Sequence, residues 1–156
     1  MSDSPSYTLI EAKPKIESYC AYQERCDFEV RQKLYSWNLS AEDVNALIAH
    51  LITQNYLNEE RFAQAYVSGK FRIKKWGRIK ILRELKLRKI SNYSIQKAFE
   101  QIEDEEYLQT MRQLLESKSK TTKGKNQWDK QNKLKRYLAS KGYETELIFE
   151  LFKSED

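Results

Sequence analysis

Few side chains in this sequence are of types that do covalent chemistry, and their spacing disarms them. His50 is the sole histidine, with no Cys or His at ligand spacing, so it reads as a surface residue of a helix and not as a metal ligand. Cys20 and Cys26 are the only cysteines and do not face each other across a helix and its end, so two free thiols are expected. A phosphate-wrapping loop needs several glycines and a Lys-Ser/Thr pair, and Gly77-Arg78-Ile79 offers one glycine. The acids Glu103 to Glu106 are better read as a helix start, where carboxylates suit the dipole, than as a chelate. No enzyme, cofactor or metal is expected. What remains is charge: from Arg61 to Lys97 there are twelve Lys or Arg against one acid, Glu84. Such an excess suits an anionic partner.

The elements that must present this charge are helical. At about 100° per residue, Phe62, Ala65, Tyr66, Gly69, Ile73 and Trp76 of a helix over 60–76 share one apolar arc, leaving Lys70, Lys74 and Lys75 outside it. Val67 and Phe71 then fall opposite that arc, facing neighbouring units or a partner. A second helix over 78–89 turns Ile81, Leu82 and Leu85 inward and Lys80, Arg83 and Lys86 outward, with Ile79 and Leu87 off its main arc. Ser91 can cap a third helix over 92–102. Upstream, a helix is expected from Pro14 to about Arg25, a second capped by Asp27, and a third capped by Ser40 and carrying Val44, Leu47, Ile48, Leu51 and Ile52 on its apolar face.

With 156 residues, four glycines and no proline after Pro14, the chain can bury a core but lacks the turn chemistry of sheets, so the expectation is all-α. Its charge comes in blocks. Residues 1–60 hold five bases and ten acids, while Tyr107 to Lys141 holds ten bases against Glu116 and Asp129. The first thirteen residues lack the apolar core of an export signal and no run approaches a membrane span, so a cytoplasmic location with no membrane partner is expected.

An internal repeat organises these elements. Shifting Val30, Leu34, Leu39, Ser40, Val44 and Ile48 by 51 positions lands on Ile81, Leu85, Ile90, Ser91, Ile95 and Phe99. A further shift of 53 reaches Leu134, Leu138, Tyr143, Glu144, Ile148 and Phe152, where only the capping serine is lost. The expected architecture is an elongated array of three tandem three-helix repeats over 14–57, 58–103 and 104–156, behind a flexible arm over 1–13. One polar loop, Lys118 to Asn126, interrupts the third repeat.

The stretches Tyr56-Leu57-Asn58-Glu59-Glu60-Arg61-Phe62-Ala63, Trp76-Gly77-Arg78-Ile79-Lys80-Ile81 and Glu84-Leu85-Lys86-Leu87-Arg88-Lys89-Ile90-Ser91 resemble the RecX family of bacterial recombination regulators. The resemblance runs from about Cys20 to Phe152 and is strongest in the middle repeat. Departures are Asn58, where the family often has Asp, Lys89, where Gly is common, and Asp27, where Ser commonly caps. The resemblance implies tandem three-helix units and a monomer that binds the RecA recombinase filament along its groove. It also implies modulation, chiefly inhibition, of ATPase and strand exchange in DNA repair and the SOS response. The candidate basic face comprises Lys70, Arg72, Lys74, Lys75, Arg78, Lys80, Arg83, Lys86, Arg88, Lys130, Lys133 and Arg136, with weak binding to single- or double-stranded DNA expected. The second reading is a direct DNA-binding protein, in which the helices over 78–89 and 92–102 imitate a helix-turn-helix.

Overall fold

The computed structural model describes residues 4–154, which form nine α-helices and no strand. They are α1 (Leu9–Tyr22), α2 (Asp27–Ser36), α3 (Ala41–Thr53), α4 (Glu59–Arg72), α5 (Arg78–Leu87), α6 (Asn92–Phe99), α7 (Asp104–Ser119), α8 (Gln127–Ser140) and α9 (Thr145–Ser154).

The repeat found in the sequence is visible in the backbone. Asn38, Lys89 and Gly142, which carry the same 51 and 53 offsets, all have positive φ, at 62°, 60° and 100°. Each ends the second helix of a three-helix set, and the Ile90 and Tyr143 amides bond back to the Leu85 and Leu138 carbonyls at 3.1 and 3.2 Å. This satisfies carbonyls that the helix end leaves free. Ser40 Oγ accepts from the Asp43 amide at 3.2 Å and Ser91 Oγ from the Ser94 amide at 3.3 Å, so both serines cap the helix that follows. Apolar positions around each turn are buried in all three sets, including Val30, Leu34, Ile81, Leu85, Leu134 and Leu138.

Three local expectations change. The first helix begins at Leu9, not Pro14, because Thr8 and Glu11 form a reciprocal capping box that starts it a turn and a half earlier. Of the arm expected over 1–13, residues 1–3 lie outside the described residues. Asp27 does not cap α2; Cys26 occupies the cap position, its amide donates to Glu29 at 3.2 Å, and Asp27 pairs with Arg31 one turn on. Finally, α4 buries Phe62, Ala63, Val67 and Phe71, whereas Ile73 is 78% exposed. The helix stops at Arg72, so the angular extrapolation to Ile73 and Trp76 fails, and Phe71 stacks on Tyr107 with ring centroids 5.7 Å apart.

The chain divides into two compact units, Met1–Ala65 with Leu85–Ile95, and Tyr66–Glu84 with Gln96–Asp156. In the first, α1 to α3 close around Ile16, Val30, Leu34, Val44, Leu47 and Leu51, and His50 is half-buried, with Nε2 2.7 Å from Glu17. Cys20 and Cys26 are buried free thiols there, and burial pushes them up to about 11 and about 12. In the second, Phe71 stacks on Tyr107, which meets Tyr143 at a tilt, and Met111 and Leu138 are fully buried.

Candidate partner interface

The best-formed site begins at two glycines of the second unit. The Gly77 amide donates to the Lys141 carbonyl at 2.7 Å, and the Ile79 amide to the Gly142 carbonyl at 2.9 Å. A Cβ on Gly77 would lie 2.4 Å from the Gly142 carbonyl group, so only glycine permits the approach. Tyr107 locks the same joint: its hydroxyl accepts from the Arg78 amide at 2.9 Å and donates to Glu144. Arg78 lies over the Tyr107 ring at 3.8 Å and pairs with Glu144 at 2.9 Å and Asp104 at 3.0 Å. Burial, then the bond to Glu144, drives the Tyr107 phenol far above its ordinary range, so it stays a donor. Glu144 holds the repeat position of the capping serines, and its side chain serves this network.

The clamped joint gathers lysines. Lys141 Nζ donates to the Lys74 carbonyl at 2.8 Å, and the Tyr143 hydroxyl donates to the Lys75 carbonyl at 2.9 Å. Trp76, half-buried, has Lys70 Nζ 4.7 Å and Lys80 Nζ 4.4 Å from its ring centroid. Burial, then the charges of Lys80 and Lys74, lower the Lys141 pKa. Lys70 and Lys80 thus flank one indole, and Lys74 and Lys80 both lie close enough to Lys141 to act on its charge. Like charges held this close repel, and an acidic ligand relieves that repulsion.

The other basic residues named from sequence are placed differently. Arg72 reaches Glu106 at 3.4 Å and the Gln101 side chain at 3.2 Å, and Arg78 is held as above, so both guanidinium groups serve packing. Lys75 takes the left-handed turn at φ 61°. Arg83 is exposed on α5. Lys86 and Arg88 belong to the first unit, where Lys86 is exposed and Arg88 lies 3.5 Å from Glu29. On α8, Lys133 pairs with Asp129 at 3.5 Å, Arg136 Nε donates to the Asn132 carbonyl at 3.4 Å, and Lys130 lines a groove with Leu115 and Phe152. Sequence reasoning missed Lys141. The repeat register carried the signal, since Lys141 stands 53 positions after Arg88, which was named. Among the described residues no cluster of three His, Cys, Asp or Glu is arranged to hold a metal, and no helix is long and apolar enough to cross a membrane.

Comparison with known proteins places this architecture. The family model described as RecX, second three-helix domain, matches residues 58–98, and that for RecX, third three-helix domain, matches 104–152. The chain belongs to the RecX family. It is 35% identical over 91 residues to the regulatory protein RecX of Lactobacillus gasseri, covering 58% of this chain and 34% of that protein. It is 30% identical over 135 residues to the RecX of Halalkalibacterium halodurans, covering 86% and 50%. The chain thus spans about a third to a half of the length of these relatives. The crystal structure of RecX from Lactobacillus salivarius superposes with a TM-score of 0.80 at 23% identity, covering 94% of this chain and 95% of that one, which establishes the shared fold.

Proposed function

We propose that this chain is a non-enzymatic, monomeric regulator of homologous recombination that acts in the cytoplasm. It binds the RecA recombinase filament along its groove and restrains ATP hydrolysis and strand exchange. The observation that carries this reading is the lysine cluster around Trp76, an anion-seeking surface in a member of a family of regulatory proteins. In this mechanism the repeats over 14–57, 58–103 and 104–156 act as separate points of contact. Several weak contacts along a polymer reinforce one another through effective concentration, so no single contact needs to be tight. Because exposed lysines are screened beyond about 8 Å at physiological ionic strength, the inhibition weakens as salt rises.

The test is single-strand-dependent ATP hydrolysis by the cognate recombinase while this protein is titrated in. A dose-dependent fall in rate supports the reading, and an unchanged rate at saturating protein removes it.

A further inference from the structure

The loop between α7 and α8 lies apart from the lysine cluster in sequence and is built for a different ligand. Residues 117–128 carry Lys118, Lys120, Lys123 and Lys125 and no acid. The loop is held in shape: the Thr121 and Thr122 hydroxyls donate to the Lys118 carbonyl at 3.2 and 2.7 Å, and Lys133 Nζ donates to the Lys123 carbonyl at 2.8 Å. Gly124 sits directly on Lys130, where a Cβ would come within 2.6 Å of its amide nitrogen. Lys118 is engaged over the Tyr137 ring at 5.0 Å. Lys120, Lys123 and Lys125 are exposed. At the first turn of α8, Trp128 is 73% exposed, and it is the sole exposed large hydrophobic residue between Tyr93 and Phe149.

We infer that this loop and Trp128 form a contact site for single-stranded nucleic acid, with the lysines meeting phosphates and the indole stacking on an unpaired base. An exposed tryptophan normally costs solubility and is covered by apolar neighbours when it anchors a protein interface. Here the residues before it are lysines, hydroxyls and amides, and the one acid beside it, Asp129, is taken up by the Lys125 amide at 2.9 Å and Lys133 at 3.5 Å, which leaves the pairing of cation and indole that non-sequence-specific single-strand binders use. Duplex DNA offers the phosphates but keeps its bases stacked, so it engages only half of the site. This site is independent of the proposed action on the recombinase, since it uses none of the residues around Trp76.

The experiment measures binding of the full-length protein to a fluorescent oligo-dT and to a duplex of equal length, as a function of salt. Three variants are compared with the native chain: Trp128→Ala, Trp128→Phe, and Lys120→Ala/Lys123→Ala/Lys125→Ala. Trp128→Ala should weaken single-strand binding by about tenfold or more and leave duplex binding nearly unchanged, while Trp128→Phe retains most of the affinity. The triple variant should lower the log-log salt slope by about 2, from about 0.7 per lost phosphate contact. Circular dichroism and melting check that all three fold. Native-like oligo-dT affinity in both the Trp128→Ala and triple variants overturns the inference. So does a Trp128→Ala protein that keeps oligonucleotide binding but loses binding to the recombinase filament, which would make the loop a protein-docking surface.

Discussion

Two matched joints, one in each compact unit, have opposite characters. In the second unit the start of α5 meets the turn before α9 through backbone hydrogen bonds, with Gly77 and Gly142 back to back. In the first unit the residues at the matching positions are Cys26, before α2, and Lys89, before α6. There the two segments line an open cleft of about 920 Å³, with Arg25, Phe28, Arg31 and Ile90 also at its wall. Apolar positions recur in both joints and set the helix register, but they do not decide whether the backbones touch. Glycine decides it. A side chain at either position keeps the chains apart, and the lysine cluster exists only where they close.

The largest way to break the contrast is Gly77→Val. A branched side chain 2.4 Å from backbone at its Cβ alone cannot be accommodated without opening the joint. It should cost about 3 kcal/mol in denaturant unfolding, whereas the matched Cys26→Ala, beside the cleft, should cost about 1 kcal/mol. Equal costs would mean that the two joints are not different in kind. Next is Tyr107→Phe, which removes the hydroxyl shared by the Arg78 amide and Glu144 and should cost about 1–3 kcal/mol. A neutral result there would show that the network is ornamental to the clamp.

Alkaline pH affects both units, through thiols in the first and phenols in the second. Folding raises Cys20 to about 11 and Cys26 to about 12, and raises Tyr107 and Tyr143 above the ordinary phenol range, each chiefly by burial. A raised acid binds its proton more tightly when folded, so the stabilisation is complete below the ordinary thiol pKa of about 8.5 and drains away as pH climbs through the folded values. Unfolding free energy measured from pH 7 to 11 should therefore fall above about pH 9, and Cys20→Ala/Cys26→Ala should flatten the early part of that fall. The smallest effect is a gain. Lys89 holds φ 60° without being glycine, and Lys89→Gly should stabilise the protein by about 0.5–1 kcal/mol, with the opposite sign to any substitution at Gly142.

The fold was legible because burial repeats: Val30, Ile81 and Leu134 announce the same position three times, and the serines at 40 and 91 mark the same cap. On α4 the arc drawn through Phe62, Ala65 and Gly69 differs from the buried face of Phe62, Ala63, Val67 and Phe71, because both sides of this helix carry apolar residues and periodicity alone does not choose between them, while the end of the helix at Arg72 turns Ile73 to solvent. The basic surface was legible as composition but not as geometry. Counting lysines and arginines cannot tell Arg72 and Arg78, committed to acids of α7 and to Glu144, from Lys74 and Lys80, whose charges bear on Lys141. Nor can it bring Lys141 beside Lys74, since that meeting depends on two glycines 65 positions apart.

The central claim is that the lysines gathered by the closed joint meet the recombinase filament. The direct test is Lys74→Glu/Lys80→Glu, which reverses two charges, leaves the Tyr107 network alone and keeps a Cβ at position 80, where the backbone and Cβ pack on Gly142. Lys74 is exposed, where a charge changes stability by about a few tenths of a kcal/mol, and Lys80 is half-buried over Trp76, a contact worth about 0.5–1 kcal/mol, so the melting curve should shift only modestly. Inhibition of single-strand-dependent ATP hydrolysis should be lost or need at least tenfold more protein. A double variant that melts like the native chain and still inhibits at native concentrations would contradict the account and move the partner surface elsewhere.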